Sequence, residues 1–214
     1  MLREIVSNEI FTALLVVGLI IVALAKLKDP KRFNDFISVP GNSKYLKIYS
    51  RDQKFLDNFD ALLFGNLVIT LSLFSYTLFE YTTGQDTFLP NTLIKFGIGI
   101  ATFFLIKVLL ERLIASLFEM EKLVSDYLFQ KISYKNYLGI LLLPINCFIL
   151  YSFELTLPLI YVMIIILLTV NIIGLITSFK TYQSLIKQYF FYFILYLCAL
   201  EIAPYVIIYK VFMT

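Results

Sequence analysis

The chain has 214 residues, of which 60% are hydrophobic and 15% are charged, and its formal net charge is +3. Soluble domains average about 45–50% apolar and about 25% charged residues, so this composition is typical of a membrane protein. Histidine is absent, which excludes catalytic, haem and zinc sites that depend on a histidine side chain. The two cysteines lie far apart in apolar runs and predict neither a metal site nor a disulfide framework. The modest net charge gives no support for a nucleic-acid partner.

Long apolar runs predict six membrane-spanning helices, in an all-α bundle that forms a single domain over residues 1–214. Runs of about 17–25 apolar residues are long enough to cross the hydrocarbon core of a bilayer. The fourth run is the shortest of them. The predicted spans are residues 8–27, 58–80, 93–118, 135–152, 156–179 and 188–211.

Lysine and arginine are distributed unevenly between the predicted loops. They occur in the loop over 28–57, in the loop between the third and fourth spans and in the link at 180–187, whereas the loops on the opposite side have none. Because cytoplasmic loops are enriched in lysine and arginine, the three basic loops are predicted to be cytoplasmic. We therefore expect a multi-pass protein of a bacterial inner (cytoplasmic) membrane, with both termini in the periplasm.

The cytoplasmic basic loop over 28–57 contains signals for a short helix. Asp29 and Pro30 are typical of a helix N-cap and of the first helical position. Phe33 and Phe36 then fall on one side of an amphipathic helix, as expected for a helix on the inner leaflet. The basic residues predict contacts with anionic lipids or, alternatively, a docking surface for a cytoplasmic partner. These residues are Lys28, Lys31, Arg32, Lys44, Lys47 and Arg51.

Three further features concern the ends and contacts of the spans. The segment "EMEKLVSDYLFQKISY", residues 119–134, has helical spacing and is predicted to prolong the third span into the cytoplasm. Asp57 and Asp60 are expected to cap the second span and to meet its positive dipole end. Gly97 and Gly99 are expected to allow a close approach between helices.

Ionisable residues inside predicted spans are candidate functional residues, because a charge in lipid is costly. Glu201 in the sixth span and Lys107 in the third lie at similar depths, which predicts an ion pair between them. Glu111, one helical turn from Lys107, is expected to compete for that lysine. Pro204 is predicted to kink the sixth span and to leave a carbonyl without its helical donor beside Glu201. The pair is either purely structural or a proton or ligand site in which Glu201 titrates.

Asparagine side chains add polar groups to three other spans. Asn66, Asn146 and Asn171 lie in the second, fourth and fifth spans. We expect hydrogen bonds between helices, and the alternative is a polar path through the bundle. The sequence contains no nucleotide-binding glycine loop, nucleophile elbow or carboxylate cluster, so no catalytic residue, metal site or cofactor is predicted.

Three segments carry a resemblance to a known family: "KDPKRFNDFI", "NYLGILLLPI" and "YLCALEIAPYVIIYKVF". They resemble a family of small integral membrane proteins of Bacteroidota that is catalogued only as a domain of unknown function. The resemblance covers nearly the whole chain, and its most distinctive part is the segment from Leu200 to Pro204. It implies an inner-membrane location and no known activity.

These observations favour a non-enzymatic subunit or assembly partner of a bacterial envelope complex, such as secretion or gliding machinery. The expected partners are the lipid bilayer and other membrane or envelope proteins. The alternative is a small carrier or proton-linked transport component that uses an intramembrane glutamate. A membrane-embedded enzyme is the third possibility.

Overall fold

The computed structural model describes residues 9–42, 44–50, 57–84, 89–117, 121–151 and 156–188. All the regular structure within these residues is helical, so the predicted all-α fold is confirmed. The helices are α1 Glu9–Lys28, α2 Pro30–Ile37, α3 Lys44–Tyr49, α4 Asn58–Thr83, α5 Pro90–Leu117, α6 Glu121–Tyr151 and α7 Leu157–Gln188.

Five of the described helices, α1, α4, α5, α6 and α7, are long and apolar enough to cross a membrane. They overlap the first five predicted spans, and the sixth prediction, 188–211, lies outside the described residues beyond Gln188. Many large apolar side chains of α1, α5 and α7 are exposed. Such exposure is expected of helices whose outer faces contact lipid.

The segment before the fourth predicted span does not prolong the third span. α5 ends at Leu117, and α6 begins at Glu121 and continues to Tyr151. The side chains of Glu111 and Lys131 are in contact, although one continuous helix would separate them by about 30 Å. The chain therefore reverses between these residues, and the segment from residue 121 onwards belongs to the fourth span.

α7 is longer than the fifth predicted span. It continues past residue 179 to Gln188, so the predicted link at 180–187 is helical. A helix of 32 residues is about 48 Å long, which exceeds the hydrocarbon thickness of about 30 Å. Part of α7 therefore extends beyond the hydrocarbon core.

α4 is the central helix of the described bundle. It packs against α1, α5 and α6, and its contact with α6 is the most extensive. Gly139 of α6 permits this approach, because a Cβ at that position would lie 2.8 Å from Leu67 Cα. At Gly97 of α5 a Cβ would meet Ser72 Oγ of α4 at 3.5 Å, an ordinary contact that does not require glycine, and at Gly99 it would meet no described atom within 4 Å.

α2 and α3 form a short amphipathic layer, which we call the α2–α3 layer. The Asp29 carboxylate accepts a hydrogen bond from the Arg32 backbone N–H at 3.0 Å, which confirms the predicted N-cap. Phe36 is fully buried and lies edge-on to the ring of Phe59 in α4, with 6.0 Å between the ring centroids. The apolar side of the layer therefore packs onto the bundle and not only onto the surface of a membrane.

Candidate functional site: a charged cavity between α4, α5 and α6

A cavity of about 210 Å³ lies between α4, α5 and α6. We call it the charged cavity. On α4 it is lined from Asp57, next to the first residue of the helix, to Leu67, so it extends about 15 Å along the helix axis. Seven of the lining residues that the structure describes carry a formal charge: Asp57, Asp60, Lys107, Glu111, Arg112, Lys131 and Lys135.

Glu111 and Lys131 form a buried ion pair across α5 and α6. Lys131 Nζ donates to Glu111 Oε1 at 2.5 Å, and the two side chains are 13% and 0% exposed, in that order. Burial removes the hydration of both ions, so each requires its partner. The second carboxylate oxygen, Glu111 Oε2, is buried and has no hydrogen-bond partner among the described residues.

Three further basic side chains line the cavity: Lys107, Arg112 and Lys135. Lys107 is only 5% exposed, although it lies about 15 Å from the C-terminal end of α5. Lys135 Nζ lies 4.2 Å from the centroid of the Phe104 ring, in a cation–π contact between α6 and α5. Together with Lys131 these side chains make four basic residues against three acidic ones in the described part of the lining.

Arg32 of α2 connects the rim of the cavity to the α2–α3 layer. Its guanidinium forms ion pairs with Asp57 and with Asp60, and Nη2 donates to Asp60 Oδ2 at 2.9 Å. The guanidinium carbon lies 4.6 Å from the centroid of the Phe59 ring. Because Arg32 binds both carboxylates at the start of α4, it fixes the layer against the bundle.

Burial and charge at the rim affect two titratable groups. Desolvation alone would raise the pKa of Asp57, but the hydrogen bond and the charge of Arg32 lower it below its ordinary value. Burial, together with the negative charge of Asp60, raises the pKa of Tyr45 above its ordinary value. Asp57 is therefore ionised and Tyr45 neutral at pH 7.

The basic residues that were predicted to contact lipid or a partner have different environments. The prediction is wrong for Arg32, which is 9% exposed and whose guanidinium is bound by Asp57 and Asp60. Three others are exposed: Lys28, Lys31 and Lys44. Two fall outside the described part of the chain: the Lys47 side chain and Arg51.

Of the predicted intramembrane charges, Lys107 and Glu111 both line the charged cavity. Glu201 and Pro204 lie outside the described residues, so the Lys107–Glu201 ion pair and the kink at Pro204 stay predictions. Glu111 is bound by Lys131, a partner on another helix that the spacing within α5 does not indicate.

The three predicted amides also differ from one another. Asn146 Nδ2 donates to the Thr70 carbonyl at 2.8 Å, which joins α6 to α4. Asn171 Nδ2 donates at 2.9 Å to the carbonyl four residues earlier in its own helix. Asn66 is fully buried against Gly18 of α1, and its amide has no hydrogen-bond partner among the described residues.

Sequence reasoning did not single out the α6 residues of the cavity, Lys131, Lys135 and Asn136. It assigned the two lysines to a loop and did not include Asn136 among the polar groups of the spans. The available signal is the helical spacing of residues 119–134, which continues without interruption into the fourth span. Lys131 and Lys135 are four residues apart and therefore share one helix face. In the described part of the chain, no group of three His, Cys, Asp or Glu residues is placed to hold a metal ion.

Comparison with protein families identifies one match. The matching family carries the description "Domain of unknown function (DUF4271)", and the match covers residues 11–212. This range includes all three segments on which the resemblance rests, so the predicted membership of an uncharacterised family is confirmed. No curated protein and no solved structure matches the chain.

Proposed function

This chain belongs to the DUF4271 family, and we propose that it is a small carrier or proton-linked transport component of a membrane, with the charged cavity as its ligand site. The observation that supports this proposal is the burial of Lys107 and Glu111 in a cavity between three apolar helices. The sequence alone ranked a subunit of an envelope complex first. The cavity favours the carrier, because a ligand site needs an enclosed space with a few polar groups in its lining.

The energetic argument concerns the cost of these charges. A lysine or aspartate at the centre of a spanning helix costs about 2.5–3.5 kcal/mol on insertion scales. A well-packed apolar pair of similar volume is often at least as stable as a buried ion pair. Stability alone therefore does not explain the Glu111–Lys131 pair. Ligand binding or proton transfer gives a functional reason for it. In this proposal Glu111 is the intramembrane glutamate that transport requires.

Thiol labelling tests whether the cavity is accessible to water. Val108 lines the cavity, and its neighbour Leu109 is 55% exposed on the outer face of α5 at nearly the same depth. The two positions are compared as Val108→Cys and Leu109→Cys, in a background that carries Cys147→Ser and Cys198→Ser. A membrane-impermeant thiol reagent should modify Val108→Cys, because it reacts with the thiolate, which forms in water and not in lipid.

Leu109→Cys is the matched control and should not react. Equal labelling of the two variants, or a Val108→Cys thiol that stays unmodified in vesicles of both orientations, would contradict a water-accessible cavity. The parent without cysteines reports background labelling.

A second candidate function, a subunit or assembly partner of an envelope complex, is favoured by the α2–α3 layer. Arg32 holds this layer to the bundle, and the layer presents the exposed side chains of Lys31 and Lys44. Charge reversal of both lysines to glutamate should lower the apparent mass of the native complex on a native gel, because a partner is lost. Val108→Cys should leave that mass unchanged. An unchanged complex after charge reversal would reject this role for the layer.

We also propose that the membrane is a bacterial inner membrane of Bacteroidota, with the basic end of the bundle in the cytoplasm and both termini in the periplasm. The distribution of lysine and arginine between loops supports this orientation. A cysteine in place of Lys31 should react with an impermeant thiol reagent in inverted vesicles and not in intact cells.

A further inference from the structure

Three buried oxygens belong to residues that line the charged cavity and lack a donor. Asp60 Oδ1, Glu111 Oε2 and Asn136 Oδ1 have no hydrogen-bond partner among the described residues. The side chains of Glu111 and Asn136 are fully buried. Native proteins satisfy nearly all buried acceptors with protein groups or ordered water, and a buried carboxylate oxygen without a donor is especially costly. Each of these oxygens therefore requires a donor that the described side chains do not supply.

The contacts between α4 and α6 place Asp60 and Asn136 at one level of the bundle. Asn136 Nδ2 lies 3.5 Å from the Asp60 carbonyl oxygen. Further along both helices, Asn146 Nδ2 donates to the Thr70 carbonyl at 2.8 Å. The residues of each pair are 76 positions apart in the chain, so the two helices run parallel in one register. Asp60 and Asn136 are therefore neighbours across the α4–α6 interface.

The contacts between α4 and α5 place Glu111 close to the same level. Two contacts set the register of these antiparallel helices: Phe64 with Phe104, whose ring centroids are 6.5 Å apart, and Ser72 with Gly97. At this register Asp60 is level with Val108, and Glu111 lies three residues further along α5, which is about 4.5 Å along the helix axis. The axes of packed helices are about 8–10 Å apart. The three residues therefore surround one part of the cavity.

Bridging water satisfies these oxygens at such separations. Two waters in a chain, with hydrogen bonds of about 2.8 Å, join oxygens up to about 8 Å apart. The cavity volume of about 210 Å³ is enough for several waters, each of which takes up about 30 Å³ in the liquid. Water also supplies the O–H donors that all three acceptors require.

Two cations leave one oxygen of each carboxylate for water. Lys131 Nζ donates to Glu111 Oε1, and Oε2 has no partner among the described residues. In the same way Arg32 Nη2 donates to Asp60 Oδ2 at 2.9 Å, and Oδ1 has none. The other charged residues in the described lining are Asp57 on α4, Lys107 and Arg112 on α5, and Lys135 on α6. The two cations therefore hold both carboxylates in position without using their second oxygens.

We propose that a chain of ordered water in the charged cavity carries a proton between Glu111 and Asp60, and that Asn136 positions this chain. A proton passes from the Glu111 carboxyl group to the nearest water while the last water passes a proton to Asp60 Oδ1, so only O–H bonds break and form. Buried carboxylates joined in this way form proton relays in membrane proteins. This inference rests on the proposed function, because it names the proton as the species that the glutamate binds and adds its route.

The test follows the protonation of Glu111 by time-resolved infrared spectroscopy. The full chain in lipid nanodiscs is shifted rapidly from neutral to acid pH, and the C=O stretching band of the protonated carboxyl group is recorded. The band of Glu111 is the one that Glu111→Gln removes. Asn136→Leu should slow the appearance of this band about tenfold, because the chain loses a hydrogen bond. The final amplitude should stay the same, since Asn136 acts on the route and not on the carboxyl group.

Two further variants separate a positioning role of Asn136 from a structural one. Asn171→Leu is the matched control, because Asn171 does not line the cavity and its amide is bonded within α7. It should leave the rate unchanged. Asn136→Ser keeps a hydroxyl group that binds water and should restore most of the rate.

Equal rates in Asn136→Leu and Asn171→Leu would overturn the inference, and so would the absence of a Glu111 band from the unmodified protein. The unmodified protein decides the second point even where a variant fails to fold. Labelling of Val108→Cys together with either of these results would leave the water-accessible cavity of the proposed function standing and would reject only the proton route.

Discussion

Lys131 donates to Glu111 across the α5–α6 interface at 2.5 Å, although 20 residues separate the two along the chain. Glu111 is fully buried and Lys131 nearly so. This contact establishes that the chain reverses after α5, and it places a carboxylate within the cavity that we propose as the ligand site. Substitutions at these two residues measure what the buried charges contribute to the free energy of unfolding.

Lys131→Met should lower the free energy of unfolding by about 3–5 kcal/mol, because it leaves the Glu111 carboxylate buried without its cation. Combining it with Glu111→Gln should recover most of that loss, since no uncompensated charge then remains. Both are measured as unfolding in mixed detergent, together with Glu111→Gln alone. A double variant that is as unstable as the sum of the single variants would show that the residues do not interact.

Arg32→Lys should loosen the α2–α3 layer. Lysine keeps the charge but lacks the planar fork that binds Asp57 and Asp60 together and stacks on Phe59. We expect amide hydrogen exchange in α2 and α3 to become about tenfold faster, which corresponds to about 1.4 kcal/mol of local opening free energy.

The control for this experiment is Lys31→Ala, at the exposed position next to Arg32. It should change exchange by no more than about twofold, as is usual for surface substitutions. Equal effects of the two variants would mean that the guanidinium does not hold the layer.

Gly139→Ala should destabilise the contact between α4 and α6, because the new Cβ would lie 2.8 Å from Leu67 Cα. Overpacking of this kind costs about 1–3 kcal/mol. Gly99→Ala is the matched control, since a Cβ there meets no described atom within 4 Å, and alanine favours the helix by up to about 1 kcal/mol. Thermal unfolding in detergent measures both, and a Gly139→Ala protein as stable as Gly99→Ala would refute the close packing.

The pairing of Arg32 with Asp57 should weaken only at acid pH. The pKa of Asp57 is lowered in the folded protein, so its contribution to stability is present above the ordinary value of 3.8 and is lost as the pH falls through the lower, folded-state value. Hydrogen exchange in α2 should therefore stay slow at pH 5, after correction for intrinsic exchange, and accelerate only below pH 3.8. Asp57→Asn should remove this contribution to the acid transition, and an unchanged transition in that variant would assign it to another group.

The sequence predicted the membrane-spanning segments well where the apolar runs are uninterrupted. The first span was predicted at 8–27 and α1 is Glu9–Lys28, and the second was predicted at 58–80 and α4 is Asn58–Thr83. The N-cap at Asp29 was also predicted, because capping depends on neighbours in sequence. The start of α6 was missed, since its first part is polar enough to be taken for a cytoplasmic extension of the preceding span.

Contacts between helices could not be predicted from apolar runs and capping signals. The glycines with close neighbours are not those in the conspicuous "GIG" segment, because the rotation of each helix about its axis decides which side it presents to a neighbour. Arg32 resembled the other lysines and arginines of its loop until the tertiary structure brought two carboxylates to it.

Read from the sequence alone, the apolar runs determined an all-helical fold with several helices long and apolar enough to cross a membrane, and they located both ends of α1 and α4 within three residues. These are local properties, because insertion and helix formation depend on residues close together in the chain. Only the tertiary structure decided that Glu111 pairs with Lys131 and that a charged cavity lies beside them. Ion pairs and cavities arise where separate helices meet, and the packing of the whole bundle sets that geometry.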